Sequence, residues 1–182
     1  SQMKYLVIVV DWYGPYSPAD ALDAAPDFEE NGLYLGIGKR HYQRGSAMPQ
    51  YIGLSKNLHT RLSNHHKLPQ ITRGSRLWLG EVASSNVPGR KTKKTPETLS
   101  LAEWAHAYFL ELPLNERKRK KPPSRPVTVL NRWWCPDYET RRVKRPHPAW
   151  PDFIEYVDPD DSAKLVWFGS KQRRVKPPFI IG

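Results

Sequence analysis

At 182 residues the chain has the length of one ordinary domain, enough to bury a core without disulfides or a structural metal. Its single cysteine, Cys135, excludes an internal bridge, and no Cys/His cluster carries zinc spacing, so a reducing, cytoplasmic setting is expected. A formal net charge of +11 and a pI of about 9.8 favour a polyanionic partner. Nucleic acid comes before a membrane surface, because the basic runs lie in Pro-rich stretches and not on an amphipathic basic helix.

The first apolar run, 5–10, is too short to cross a bilayer and lacks the basic flank and small-residue cleavage site of a secretion signal. It reads as the bulk of a buried strand over 4–10, with Gly14-Pro15 and Ser17-Pro18 as punctuation after it. Asn31-Gly32 is a turn signal that opens a second strand over 33–37. A polar loop, 39–49, then leads to a third short strand over 50–54 that pairs with the second. Ser55 is the expected N-cap of a helix over 56–66, which carries Leu58 and Leu62 one turn apart.

A fourth strand is expected over 76–83, followed by a basic loop through Lys94. Thr98 or Ser100 caps a second helix over 99–112, stopped by Pro113, and 127–134 reads as another strand. The remainder, 136–182, reads as a Pro-rich tail anchored on the core by Trp150, Phe153, Tyr156, Trp167 and Phe168. The expected architecture is one α+β domain over 1–182, a small mixed or antiparallel central sheet flanked by helices with the tail wrapped on it.

Charge is uneven along this order. Over 1–38 the only base is Lys4, against Asp11, Asp20, Asp23, Asp27, Glu29 and Glu30, whereas bases cluster at 90–94, 117–121 with Arg125, 141–145 and 171–176. Any one run is by itself a solvated face; together they suggest a positive rim around a site.

The candidate chemistry lies on these elements in order: strand Tyr34, strand Tyr51, then Arg61 and His65 on the first helix and Glu103 on the second. Arg61 and His65, four apart, would project about 40° apart at the border of the apolar stripe. Leu99, Glu103, His106, Ala107 and Leu110 share one helix face, which puts a carboxylate where an unpaired charge is costly. The plain reading of Glu103 is a buried ion pair with an arginine. The sharper one is a divalent ion held by one carboxylate, its shell completed by water and substrate phosphate. Strand tyrosines by default pack a sheet, and His66 and His106 read as structural.

Taken as an ordered set, Gly32-Leu33-Tyr34, Tyr51-Ile52-Gly53, then Leu58, Arg61, Leu62 and His65, followed by Glu103 and Asn115, resembles the GIY-YIG nuclease family over about 31–115. The first motif reads GLY instead of GIY, and the loop over 39–50 is longer than is typical of that family. The resemblance implies that family's fold and a divalent-metal-dependent endonuclease, of restriction or defence type, that hydrolyses DNA to 5′-phosphate and 3′-hydroxyl ends. It also implies Mg2+ or Mn2+ on Glu103 and a catalytic set of Tyr34, Tyr51, Arg61, His65, Glu103 and Asn115, with Asn131 as the alternative to Asn115. Tyr34 would be the general base, Tyr51 and His65 would hold the nucleophile or relay its proton, and Arg61 would brace the phosphate. Lys39, Arg40, Arg44, Lys67, Arg90, Lys91, Lys93, Lys94, Arg117 and Lys118 are the expected contacts to DNA, read as double-stranded. The competing reading is a non-catalytic nucleic-acid-binding domain. A histidine-type metal nuclease motif at Asn64-His65-His66 lacks the partner histidine and glutamate it needs.

Overall fold

The computed structural model describes residues 6–28, 32–83, 86–87, 90–91, 96–157, 163–169 and 171–175, with backbone alone at 86–87, 90–91 and 171. In chain order these form β1 (Val7–Tyr16), α1 (Pro18–Ala24), β2 (Gly32–Arg40), β3 (Met48–Ser55), α2 (Leu58–Ser63), β4 (Ile71–Ala83), β5 (Asn86–Val87), β6 (Arg90–Lys91), α3 (Pro96–Phe109), β7 (Val127–Trp134), β8 (Phe153–Tyr156), β9 (Ala163–Trp167) and β10 (Lys171–Val175). Single 3-10 turns follow α1 and precede β4.

The expectation of a small central sheet flanked by helices is overturned. Eight strands form one sheet in the order β10-β9-β8-β7-β1-β4-β2-β3, curled into an open half-barrel, with three helices of 7, 6 and 14 residues. The pairing is antiparallel throughout except for β1 with β7. Nor is the Pro-rich tail a wrapping segment, because β8, β9 and β10 continue the sheet outward from β7. Their burial alternates residue by residue in β8 and β9, the pattern of strands with one face on a core, and the prolines at 136, 146, 148 and 151 fall in the connection before them.

Strand β1 runs six residues past its expected end at Val10 because the charge of Asp11 is neutralised inside the sheet. Arg132, its register partner on β7, donates from Nε at 2.7 Å and Nη2 at 2.8 Å, and Trp134 Nε1 donates at 2.9 Å. A fork-to-fork pair of this kind removes the penalty of a lone buried carboxylate.

The sheet has two covered faces. Leu33 and Leu35 turn toward α3 and a core containing Trp12, Ile52, Ala102, Phe109 and Trp150. Tyr34, between them on β2, points the other way, into a second core with Tyr13, Phe28, Leu58 and Leu79 under α1 and α2. The period of two along β2 therefore decides which face receives the tyrosine. Strand β3, with Tyr51, is the terminal strand of the sheet.

Two helix boundaries differ from expectation in ways that matter for the site. Asn57, not Ser55, caps α2, its side chain accepting from Thr60 N at 3.1 Å, and the helix stops at Ser63. His65 thus lies beyond the helix. Helix α3 starts at Pro96, so Thr98 and Ser100 are interior residues and not caps. Among the described residues no helix is long and apolar enough to cross a membrane.

Candidate active site

Tyr34 is fully buried and stands opposite Gly53 in the β2–β3 register. A Cβ on Gly53 would lie 2.3 Å from both Cζ and the hydroxyl oxygen of Tyr34, so the glycine is the space in which the phenol lies. Gly32 plays the same part for α2, since a Cβ there would come within 2.3 Å of Leu58 Cδ1. Gly53→Ala is accordingly expected to cost about 1–3 kcal/mol of stability by overpacking and to displace the Tyr34 oxygen from its partners. A urea melt and a cleavage assay check it together, and a variant matching the parent in both contradicts the packing argument.

The Tyr34 oxygen has two donors. After α2 the chain turns at Asn64, and His65 Nδ1 accepts the backbone N–H groups of Lys67 and Leu68, each at 2.9 Å. With Nδ1 committed as an acceptor, the neutral ring carries its proton on Nε2, which donates to the Tyr34 oxygen at 2.7 Å. Arg61 Nε donates to the same oxygen at 3.4 Å. The sequence expectation of Arg61 and His65 on adjacent turns of one helix is corrected, but the turn beyond α2 brings the imidazole to the same phenol. Tyr51, half-buried on β3, completes the group, its ring centroid 6.0 Å from Tyr34 and 5.1 Å from His65.

Asn115 is not in this cluster. Its Oδ1 accepts from Ile52 N at 2.9 Å and its Nδ2 donates to Ile52 O at 2.8 Å, so it holds the free edge of β3 between Tyr51 and Gly53. It is a positioning residue. Asn131, the alternative, lies in the core, where its Oδ1 accepts from Trp12 Nε1 at 2.8 Å and its Nδ2 donates to His106 Nε2 at 3.1 Å.

Glu103 projects from the middle of α3 and is buried, 8 % exposed. Its carboxylate pairs with Lys118 Nζ and also feels the Arg61 guanidinium and the backbone of Leu54, which ties it to the tyrosine cluster around the end of β3. Burial raises its pKa above the ordinary carboxylate range; Lys118 and then Arg61 oppose that rise. The partner is thus a lysine and not the expected arginine. Lys118, read from sequence as a DNA contact, is a counter-ion of the candidate metal ligand.

The remaining expected DNA contacts divide. Lys67 pairs with exposed Glu116 at 3.0 Å, and Arg117 is exposed. Lys39, Arg40 and Arg44 belong to the far end of the β2–β3 hairpin, Lys39 being five residues from Tyr34, about 17 Å at the strand rise. For Arg90 and Lys91 only backbone is described, and Lys93 and Lys94 lie outside the described residues.

Among the described residues no three His, Cys, Asp or Glu side chains gather as a ligand cage, and the Glu103 carboxylate is paired with Lys118. A divalent ion here would have Glu103 as its protein anchor, in the position Lys118 now holds. Such a site suits an ion that keeps most of its water and takes a substrate phosphate as a further ligand.

His65 and His106 are both held at a pKa of about 4, His65 by burial and then by Arg61 and His66, His106 by burial. His106 donates from Nδ1 to Ala102 O at 2.8 Å and is structural. A free imidazole titrates near 6.5, so the unfolded chain binds these protons first. The stability that neutral rings contribute is complete above about pH 6.5 and is lost as pH falls toward 4. Urea midpoints are expected to be flat above that upper limit and to fall steadily below it; midpoints constant from neutrality down to about pH 4.5 contradict the assignment.

Comparison of the chain with protein-family models, with curated proteins and with solved structures gives no match.

Proposed function

We propose that the chain is a divalent-metal-dependent endonuclease that hydrolyses DNA phosphodiester bonds to 5′-phosphate and 3′-hydroxyl ends, using a residue set like that of the GIY-YIG nucleases in a cytoplasmic restriction or defence role. The observation that carries this reading is the Tyr34 oxygen, which takes one N–H from His65 and one from Arg61. Two donors aimed at one phenolic oxygen oppose the burial that raises its pKa, the arrangement a phenolate general base needs.

Each neighbour then has a definite task. Tyr34 accepts the proton of the attacking water, and the phenolate it needs is stabilised by His65 Nε2–H and Arg61 Nε–H. His65 orients that oxygen and cannot relay its proton through Nδ1, which two backbone amides occupy. Arg61, exposed at the rim, keeps part of its fork for a phosphate oxygen. Tyr51 closes the solvent side of the phenol. Glu103 would hold the ion, with Lys118 yielding its place or sharing the carboxylate. A divalent ion bound there supplies neutralisation of charge developing on the phosphate and the leaving oxygen.

A non-catalytic nucleic-acid binder is the competing reading, favoured by the Glu103–Lys118 pair, which gives the carboxylate a cationic partner without a metal. Incubating the purified protein with Mg2+ or Mn2+ and with duplex or single-stranded DNA decides between them. Cleavage with 5′-phosphate ends is the expected result; intact DNA in both metals overturns the proposal.

A further inference from the structure

Two basic runs that lie far apart in sequence meet at the β10 edge of the sheet, the opposite end from β3 in strand order. Arg119 and Lys120 from the segment after α3, and Arg173 and Arg174 from β10, line one groove of about 530 Å³ with Tyr108 and a single acid, Glu111. Adjacent strand residues project to opposite faces, so Arg173 and Arg174 can share a groove only where it straddles the free edge of β10. Among the described residues the ion pairs use Lys67, Lys118, Arg125, Arg132 and Arg145, and none of these four. The acids near Arg119 and Lys120 are Glu111 and exposed Glu116, which is itself paired with Lys67.

The groove is joined to the candidate active site. The segment after α3 runs back along that helix: Lys118 reaches Glu103, the Lys121 carbonyl accepts from Trp104 Nε1 at 2.7 Å, and Arg119 and Lys120 flank Tyr108. Positive charge therefore continues from Arg61 and Lys118 to Arg173 and Arg174. From Glu103 to Tyr108 is five residues of helix, about 7–8 Å along the axis and about 140° around it, so the groove lies further around α3 than the carboxylate.

We propose that this groove is a phosphate-binding track for a nucleic-acid strand, gripping the backbone outside the candidate active site. That it serves a cleaved strand rests on the endonuclease reading; its existence does not. A concave groove of about 530 Å³ lined by four basic residues suits a phosphodiester chain with Tyr108 beside it, whereas a flat lipid surface would meet only its rim.

The test uses the full chain without divalent ions. Binding to a long mixed-sequence duplex is measured by fluorescence anisotropy over a salt series for the parent, for Arg173→Glu with Arg174→Glu, and for Arg119→Glu with Lys120→Glu. Each pair is expected to lose about tenfold or more in affinity at low salt and to lower the slope of log K against log salt by about 2 in magnitude, with unchanged melting temperatures. Affinity and slope equal to the parent overturn the proposal. So does a pair that leaves DNA binding intact but abolishes binding to phosphatidylserine vesicles, which would make the surface a membrane contact. Cleavage by the parent, scored separately, tells the two readings apart: a parent that binds through the track without cutting refutes the endonuclease alone, and cutting with both pairs unaffected refutes the track alone.

Discussion

Replacing Glu103 by Gln is expected to reduce cleavage about 10³-fold or more while DNA binding stays within a few-fold and the fold is no less stable. The loss would follow from removing the proposed anchor of the ion, whose charge neutralisation would supply several kcal/mol at the transition state, each tenfold in rate being about 1.4 kcal/mol. The stability expectation is less obvious. Burial raises the Glu103 pKa in spite of Lys118 and Arg61, so ionised Glu103 is under-compensated in the fold, and a neutral amide of the same size relieves that cost. Lys118, with a third of its side chain already exposed, is free to turn into water. Lys118→Met is the control. A purely structural ion pair makes Lys118→Met, which leaves the buried carboxylate without its counter-ion, at least as harmful as Glu103→Gln, whereas a metal anchor leaves Lys118→Met active and Glu103→Gln dead. Single-turnover cleavage with Mg2+ and thermal melting of both proteins settle the point, and a Glu103→Gln variant that still cuts at the parent rate removes the metal role.

What could be read in the sequence was what local order encodes. Tyr34, Tyr51 and Arg61 fall on a hairpin and the helix that follows it, and their meeting needs only the β2–β3 register and one turn of α2. Glu103 was legible as a carboxylate inside the apolar pattern of α3, a conflict that demands a cation. Its partner was not, because a run of five bases, 117–121, carries no sign of which one turns inward. The sheet was misjudged for a related reason. The parallel pairing of β1 with β7 joins strands more than a hundred residues apart, and Asp11 looked like the end of a strand because Arg132, which neutralises it, is equally distant. In the last third of the chain the alternation of Ile154 and Tyr156, then Ala163, Leu165 and Trp167, was present to be read, but the prolines of the preceding connection outweighed it. Asn115 shows the limit of transferring a role by position: it works on Ile52, through the backbone of an edge strand, and not on the reacting groups.

Removing one oxygen, with Tyr34→Phe, should have the second large effect. The ring packs as before against Leu79, Leu58 and the hollow of Gly53, so the core is preserved. Two donors lose their acceptor, partly buried His65 Nε2–H and Arg61 Nε–H, at a cost of about 1–3 kcal/mol, softened because Arg61 is exposed and can turn to water. Cleavage is expected to fall about 10²–10⁴-fold, the range of a lost general base. The pH dependence carries the discrimination. Burial is the largest influence on Tyr34 and raises its pKa above the ordinary tyrosine value of about 10, against the opposing pull of Arg61. The parent rate should therefore climb with pH through neutrality without levelling below that value, as the small phenolate fraction grows. The Phe variant should show a flat residual rate over the same range. Tyr51→Phe, altering a half-buried ring that closes the solvent side, should lower the rate and keep the slope. If the slope instead survives in Tyr34→Phe and vanishes in Tyr51→Phe, the base is Tyr51, and the two donors on the Tyr34 oxygen serve to lock the hairpin against α2 and not to generate a phenolate.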